Sequence, residues 1–216
     1  MHLRFAGLTA LVAIAACQTL AQEIPDPMVA PGLVVPRTAL PIAVDHFQNA
    51  PELVPIHHSN VELNNHKGAN VAGSIVGGIF YKPKMTVEVE GAHARSVVHD
   101  AKPTFYLHML QDPGDTGPED VYAIIRALPE KDRRIFAQVR FTQMTGNAKR
   151  DDGIVETVTE HLPNGWLRLT PKESLAPGEY AVSPIMRTQN AFPTMIYDFM
   201  LDPSAPNATD ALLARP

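Results

Sequence analysis

Cysteine is almost missing from this chain: Cys17 is the only one in 216 residues, so no disulfide can form within it and the fold must rest on its core. Charge is scarce too, at 19% of residues, and Lys and Arg total 18 against 23 Asp and Glu. The net charge of -5 excludes a long-range pull toward nucleic acid or anionic lipid. Aromatic side chains make up 6%, with a single Trp. No apolar run reaches the roughly 20 residues that a bilayer-spanning helix needs, which excludes a multi-pass membrane protein. Wholesale disorder is excluded from the other side, because 45% of the residues are hydrophobic.

What is present begins with an export signal. Arg4 is the only charged side chain among the first 22 residues, an apolar run extends from Phe5 to Ala16, and the first acid is Glu23. Two processing sites compete. Thr19-Leu20-Ala21 offers small residues where a signal peptidase reads, which makes residues 1–21 the signal peptide and leaves Gln22 as the new terminus. Ile14-Ala15-Ala16-Cys17 resembles the bacterial lipobox, in which the cysteine becomes the lipidated first residue. The expected location is the periplasm or cell surface, with membrane contact only through a lipid on Cys17 as in an outer-membrane lipoprotein.

Residues 22–55 carry seven of the 20 prolines and read as a stiff proline-rich arm or edge segment, because proline lacks the donor a central strand uses. Residues 56–83 read as a transition with edge strands, punctuated by Gly73, Gly77 and Gly78. Its Gly68 to Gly73 spacing matches a phosphate loop, but Ser74 stands where the phosphate-binding Lys belongs. From Lys84 the period turns to two: Met85, Val87 and Val89 take one face, and Thr86, Glu88 and Glu90 the wet one. Val121 to Leu128 and Arg133 to Phe141 read as a hairpin around Pro129-Glu130-Lys131-Asp132, and Ile154 to His161 with Trp166 to Thr170 as another around Pro163-Asn164-Gly165. Strands near Tyr180 to Ile185 and Met195 to Leu201 complete about eight over residues 84–202, the spacing of an all-β antiparallel sandwich. Residues 203–216 read as a flexible tail.

Leu175-Ala176-Pro177-Gly178-Glu179-Tyr180-Ala181-Val182 resembles the tyrosine corner of immunoglobulin-like sandwiches, with Pro177 and Gly178 making the turn and Tyr180 bonding backbone upstream. The resemblance implies a fold and no function. This corner and the stretch from Glu88 to Leu107 are also similar to exported bacterial proteins of unknown function.

Six of the nine histidines, His57, His58, His66, His93, His99 and His108, fall within one half of the chain. They are the candidates for a copper or zinc site, with Met85, Met109 or Met195 as further thioether donors. Their spacing is no local ligand motif: His57 and His58 are adjacent, and His93 and His99 would stand ~20 Å apart on an extended strand. Asp112, Asp115, Glu119 and Asp120 form an acidic loop without the order of a calcium-binding one. Glu88, Glu90, Glu156 and Glu160 are acids a glycosidase could pair, Lys131, Arg133 and Arg134 a small basic cluster, and Asn207-Ala208-Thr209 a sequon in form. No nucleophile motif or catalytic residue stands out. The expectation is a non-enzymatic binding or structural module of the cell envelope, with an envelope protein or glycan as partner. A periplasmic copper or zinc binder and a hydrolase with a dispersed site are the alternatives.

Overall fold

The computed structural model describes residues 25–66, 84–109, 122–141, 148–184 and 195–214. The export signal with Cys17, the stretch from Gly68 to Gly78 and the acidic loop from Gln111 to Asp120 lie outside them. Apart from one short 3₁₀ turn, the regular structure of the described residues is all strand.

Strands β1 (Met28–Ala30) and β2 (Leu33–Val34) form a small hairpin. A second hairpin joins β3 (Ile42–Phe47) to β4 (Ala50–Pro55) through Gln48 and Asn49, at φ 51° and 66°. Two successive positive φ values give the twist that a two-residue hairpin needs. Next come β5 (His58–Asn60), β6 (Glu62–Asn64), β7 (Lys84–Glu90), β8 (Ser96–Val98) and β9 (Thr104–His108). The middle of the chain supplies β10 (Tyr122–Arg126), β11 (Leu128–Glu130), β12 (Arg133–Phe141), β13 (Ala148–Val155) and β14 (Thr157–Leu162). Finally there are β15 (Trp166–Pro171), β16 (Gly178–Pro184), β17 (Met195–Leu201) and β18 (Leu212–Leu213).

One sheet runs β14-β15-β9-β3-β4-β18, and a larger one runs β5-β17-β16-β10-β13-β12-β7-β6, with β11 beside β12 and β8 parallel to β17. Ala43, Phe105, Leu107, Leu167 and Leu169 from the first sheet share a core with Ile124, Tyr180, Val182, Phe199 and Leu201 from the second. Two antiparallel sheets contributing to one core are compatible with a β-sandwich.

Four expectations change. The 22–55 segment, expected as an extended arm or as edge strands packed along the domain, goes further into the body: β3 lies inside the six-stranded sheet and β4 beside it. Pro51 and Pro55 are tolerated because β18 covers only Glu52 and Leu53 on the far side of β4, which makes it an edge strand along most of its length. The 203–216 tail is packed over its described part, with β18 on β4 and Ala208 and Ala211 against the core. Around Pro129-Glu130-Lys131-Asp132 only β11 pairs with β12; β10 turns away at Ala127, whose N–H donates to the Glu179 carbonyl at 2.8 Å, and pairs with β13 and β16. Ile154 to His161 is likewise divided at Glu156, with β13 in the larger sheet and β14 in the smaller. The Asn164-Gly165 turn stands as expected, at φ 60° and 73°.

The six-stranded sheet carries buried apolar clusters on both faces. Opposite the shared core, Ile42, Leu53, Tyr106 and Trp166 are covered by Leu33 and Val35 from the N-terminal segment. That cover is tied down by Asp26, which accepts hydrogen bonds from Arg37 and from the Trp166 indole. Arg37 and Trp166 hold the Asp26 carboxyl below the usual carboxylate range.

Candidate functional site

β1 and β2 cover only part of the outer face of the six-stranded sheet. Beside them the face opens into a groove of about 580 Å³, lined by Val44, Thr104, Tyr106, Arg168 and Thr170 and bordered by Val158 and Glu160 of β14. Cross-strand register produces this lining: Arg168 lies between Tyr106 and Glu160, and Val44 lies beside Thr104. Three cations, Lys102, Arg168 and Lys172, face one lining acid, Glu160, in a chain of net charge -5. The Tyr106 hydroxyl and the Glu160 carboxylate hold Arg168 and push its pKa above the usual arginine value. Lys102 donates to the Lys172 carbonyl at 2.7 Å, while Lys172 pairs with Glu156 at 3.2 Å. β14 ends the sheet, and among the described residues no strand pairs with its outer side. Such an edge presents backbone donors and acceptors to any extended chain that comes alongside.

The six histidines do not gather around one point. His57 pairs with Asp210 at 2.5 Å, His66 donates to Thr86 at 2.6 Å beside Glu88, and His93 bonds Glu179 at 3.0 Å. His108 packs its ring on Trp166 with centroids 4.9 Å apart, and His58 is exposed on β5. His99 alone joins a larger grouping. Its ring Nδ1–H donates to Asp45 at 2.8 Å, and one ligand atom each from Asp45, Glu52 and His99 lie within 4.8 Å of one another. Of the methionines, Met109 packs against the core and Met195 is exposed.

Sequence reasoning missed Asp45 and Glu52, because both sit in the supposed arm. Each is an acid inside an apolar strand, Val44-Asp45 in β3 and Glu52-Leu53 in β4, and that interruption was the available signal. Register makes them direct cross-strand neighbours, and both are 0% exposed. Burial pushes the Glu52 carboxyl up, against the hydrogen bond from Asn207 that lowers it.

The remaining acids and bases serve the fold. Glu88, expected on a wet face, is 3% exposed and accepts from Thr86, Arg133 and Asn64. Arg134, expected in a solubilising cluster, is buried, ion-paired with Asp198 and 3.6 Å from Glu179, and it donates to the Gly91 and Glu90 carbonyls. A second cleft of about 540 Å³ opens beside His93 and Glu179, with Ala127, Leu128 and Met200 in its largely apolar wall. Tyr180 donates its hydroxyl to the Ala176 carbonyl at 2.7 Å across the turn made by Pro177 and Gly178. Comparison with protein-family models, with curated proteins and with solved structures finds no match to this chain.

Proposed function

We propose that this chain is an exported β-sandwich module of the immunoglobulin-like kind, which binds an extended acidic segment of an envelope protein by strand addition to β14. The observation that carries the reading is the unpaired β14 edge beside a groove with three cations and one acid. Strand addition draws affinity from backbone hydrogen bonds, and alternate side chains of the added strand drop into neighbouring pockets. The groove they enter carries Lys102, Arg168 and Lys172 against Glu160 and the Glu156 that pairs with Lys172, an excess of one positive charge, which is the argument for an acidic partner. Export is supported by Arg4 and the apolar run that follows it, and the immunoglobulin-like kind by the Tyr180 to Ala176 bond.

The test uses hydrogen exchange on the protein alone and in complex with the partner it retains from its own envelope fraction. Backbone amides of Thr157–Leu162 should slow in the complex. The double substitution Lys102→Glu/Lys172→Glu should lower the association rate at low salt, with the difference fading as salt screens it. Protection confined to another sheet edge, or retention of a polysaccharide in place of a protein, would overturn the reading.

A further inference from the structure

Beneath the C-terminal segment, where Asn207 and Ala205 meet Glu52 and His99, lies a set of groups with no part in the groove. We propose that Asp45, Glu52 and His99, with Asn207 as a further oxygen donor, form a closed structural site for one divalent transition-metal ion.

Two carboxylates directly opposite each other on paired strands repel, and burial leaves no water to screen them. Asp45 is compensated: the backbone N–H groups of His99 and Asp100 and the ring of His99 all donate to it, at 2.8 to 3.0 Å. Glu52 is not. One oxygen accepts from the Asn207 amide at 2.9 Å, while Glu52 Oε1 and Asn207 Oδ1 are both buried without a hydrogen-bond partner among the described residues. Two unpaired acceptors cannot satisfy each other; they need a donor or a cation, and beside a second buried carboxylate a cation also offsets the repulsion. Among the described residues nearby, His46 is engaged with Asp100, Asp202 accepts from Ser204, and the Phe47 ring packs on His99 with centroids 4.9 Å apart.

The donor set is two carboxylates, one imidazole and, once the Asn207 amide turns its oxygen toward Glu52 in place of its nitrogen, one amide oxygen; it suits zinc or manganese and includes no sulfur for cuprous copper. Ligands held at ~2.1 Å from one ion stand ~3 to 3.5 Å apart. His99 Nδ1 and Asp45 Oδ2, at 2.8 Å, already have nearly that spacing, so an ion there takes the place of the shared proton. The Glu52 oxygen has a short distance to travel, since the three ligand atoms lie within 4.8 Å of one another. A filled site joins three parts of the chain: the β3–β4 hairpin, the turn after β8, and the C-terminal segment, where Ala205 already faces His99 Nε2 at 3.3 Å. All the ligands come from protein and none is left open, the mark of a structural site.

The experiment strips the protein purified from its own cells with a chelator and titrates it with Zn²⁺, reading stoichiometry by native mass and calorimetry. One ion per chain is expected, with slower hydrogen exchange over residues 203–213. Glu52→Gln should abolish uptake, and Asn207→Ala should weaken it about 10- to 100-fold. His46→Ala and His93→Ala should leave it unchanged. Trp166 emission shows whether each variant is folded, and where Glu52→Gln fails to fold, Asn207→Ala carries the test. A folded, stripped protein that takes up no Zn²⁺ would leave a proton on Glu52 as the compensating charge and overturn the site. Uptake indifferent to Glu52→Gln, or lost in His46→Ala, would place the ion on the exposed His46–Asp100 pair and overturn it equally.

Discussion

Glu88 shows how a single acid in β7 can reverse its expected role. Burial raises its pKa, but the hydrogen bonds from Thr86, Arg133 and Asn64 outweigh that, and the net shift is downward. His66 faces the same carboxylate, at 3.5 Å. A folded pKa below the unfolded one means stability that is present above the unfolded value and lost as pH falls through the folded one. Glu88→Gln is therefore expected to cost about 1.5–3 kcal/mol at neutral pH, the worth of hydrogen bonds to a charged group. The gap between variant and parent in urea midpoint should begin to narrow as pH falls below the ordinary glutamate value of about 4.3, and close only below the folded value, which lies lower still. A gap that stays constant with pH would mean the charge on Glu88 contributes nothing. Two-residue alternation put Glu88 on the wet face because Arg133, its main partner, lies 45 residues away and only the β7–β12 pairing brings the two together.

At the scale of elements, β13 holds the larger sheet together. Its first five residues pair with β12 and its last three with β10, so β10 and β12 are joined through this one strand. The crossing needs a glycine: a Cβ on Gly153 would stand 2.6 Å from the Arg126 carbonyl oxygen and 3.3 Å from the Arg126 Cβ. Gly153→Ala should cost about 1–3 kcal/mol in urea unfolding, the usual range for forcing atoms into a packed site. An unchanged midpoint would show that the strands part without penalty. Element types were legible from alternation, and the Asn164-Gly165 turn from its residues. Partners were not: β10 and β12 look like a simple hairpin in sequence, yet Ala127 breaks the first strand so that its N–H can reach Glu179.

For the whole molecule, the unusual feature is a six-stranded sheet with apolar side chains on both faces. Its outer core of Ile42, Leu53, Tyr106 and Trp166 depends on residues from the proline-rich N-terminal segment. Removing the chain up to Arg37 takes away Leu33, Val35 and the Asp26 bond to the Trp166 indole. The expected loss is about 1.5–3 kcal/mol for each of the two buried side chains, with a red shift of Trp166 emission as water reaches the indole. A truncated chain that kept its emission and its urea midpoint would return this segment to the status of a free arm. The same partial cover leaves the groove open beside β1, so the extent of the N-terminal hairpin also sets the size of the proposed docking face.

The sequence by itself determined the all-β class, the strand periodicity, the Asn164-Gly165 turn and the absence of internal disulfides. These depend on neighbours within a few residues or on plain counting. Only the tertiary structure decided that the arm and the tail belong to the body, that the six histidines stay apart, and that Asp45 and Glu52 meet His99. The reason is physical: hydrophobic alternation says which side of a strand is buried but carries no information on which strand lies beside it. Asp45 meets Glu52 through a hairpin and His99 from 54 residues away, and that meeting is a property of register and sheet order.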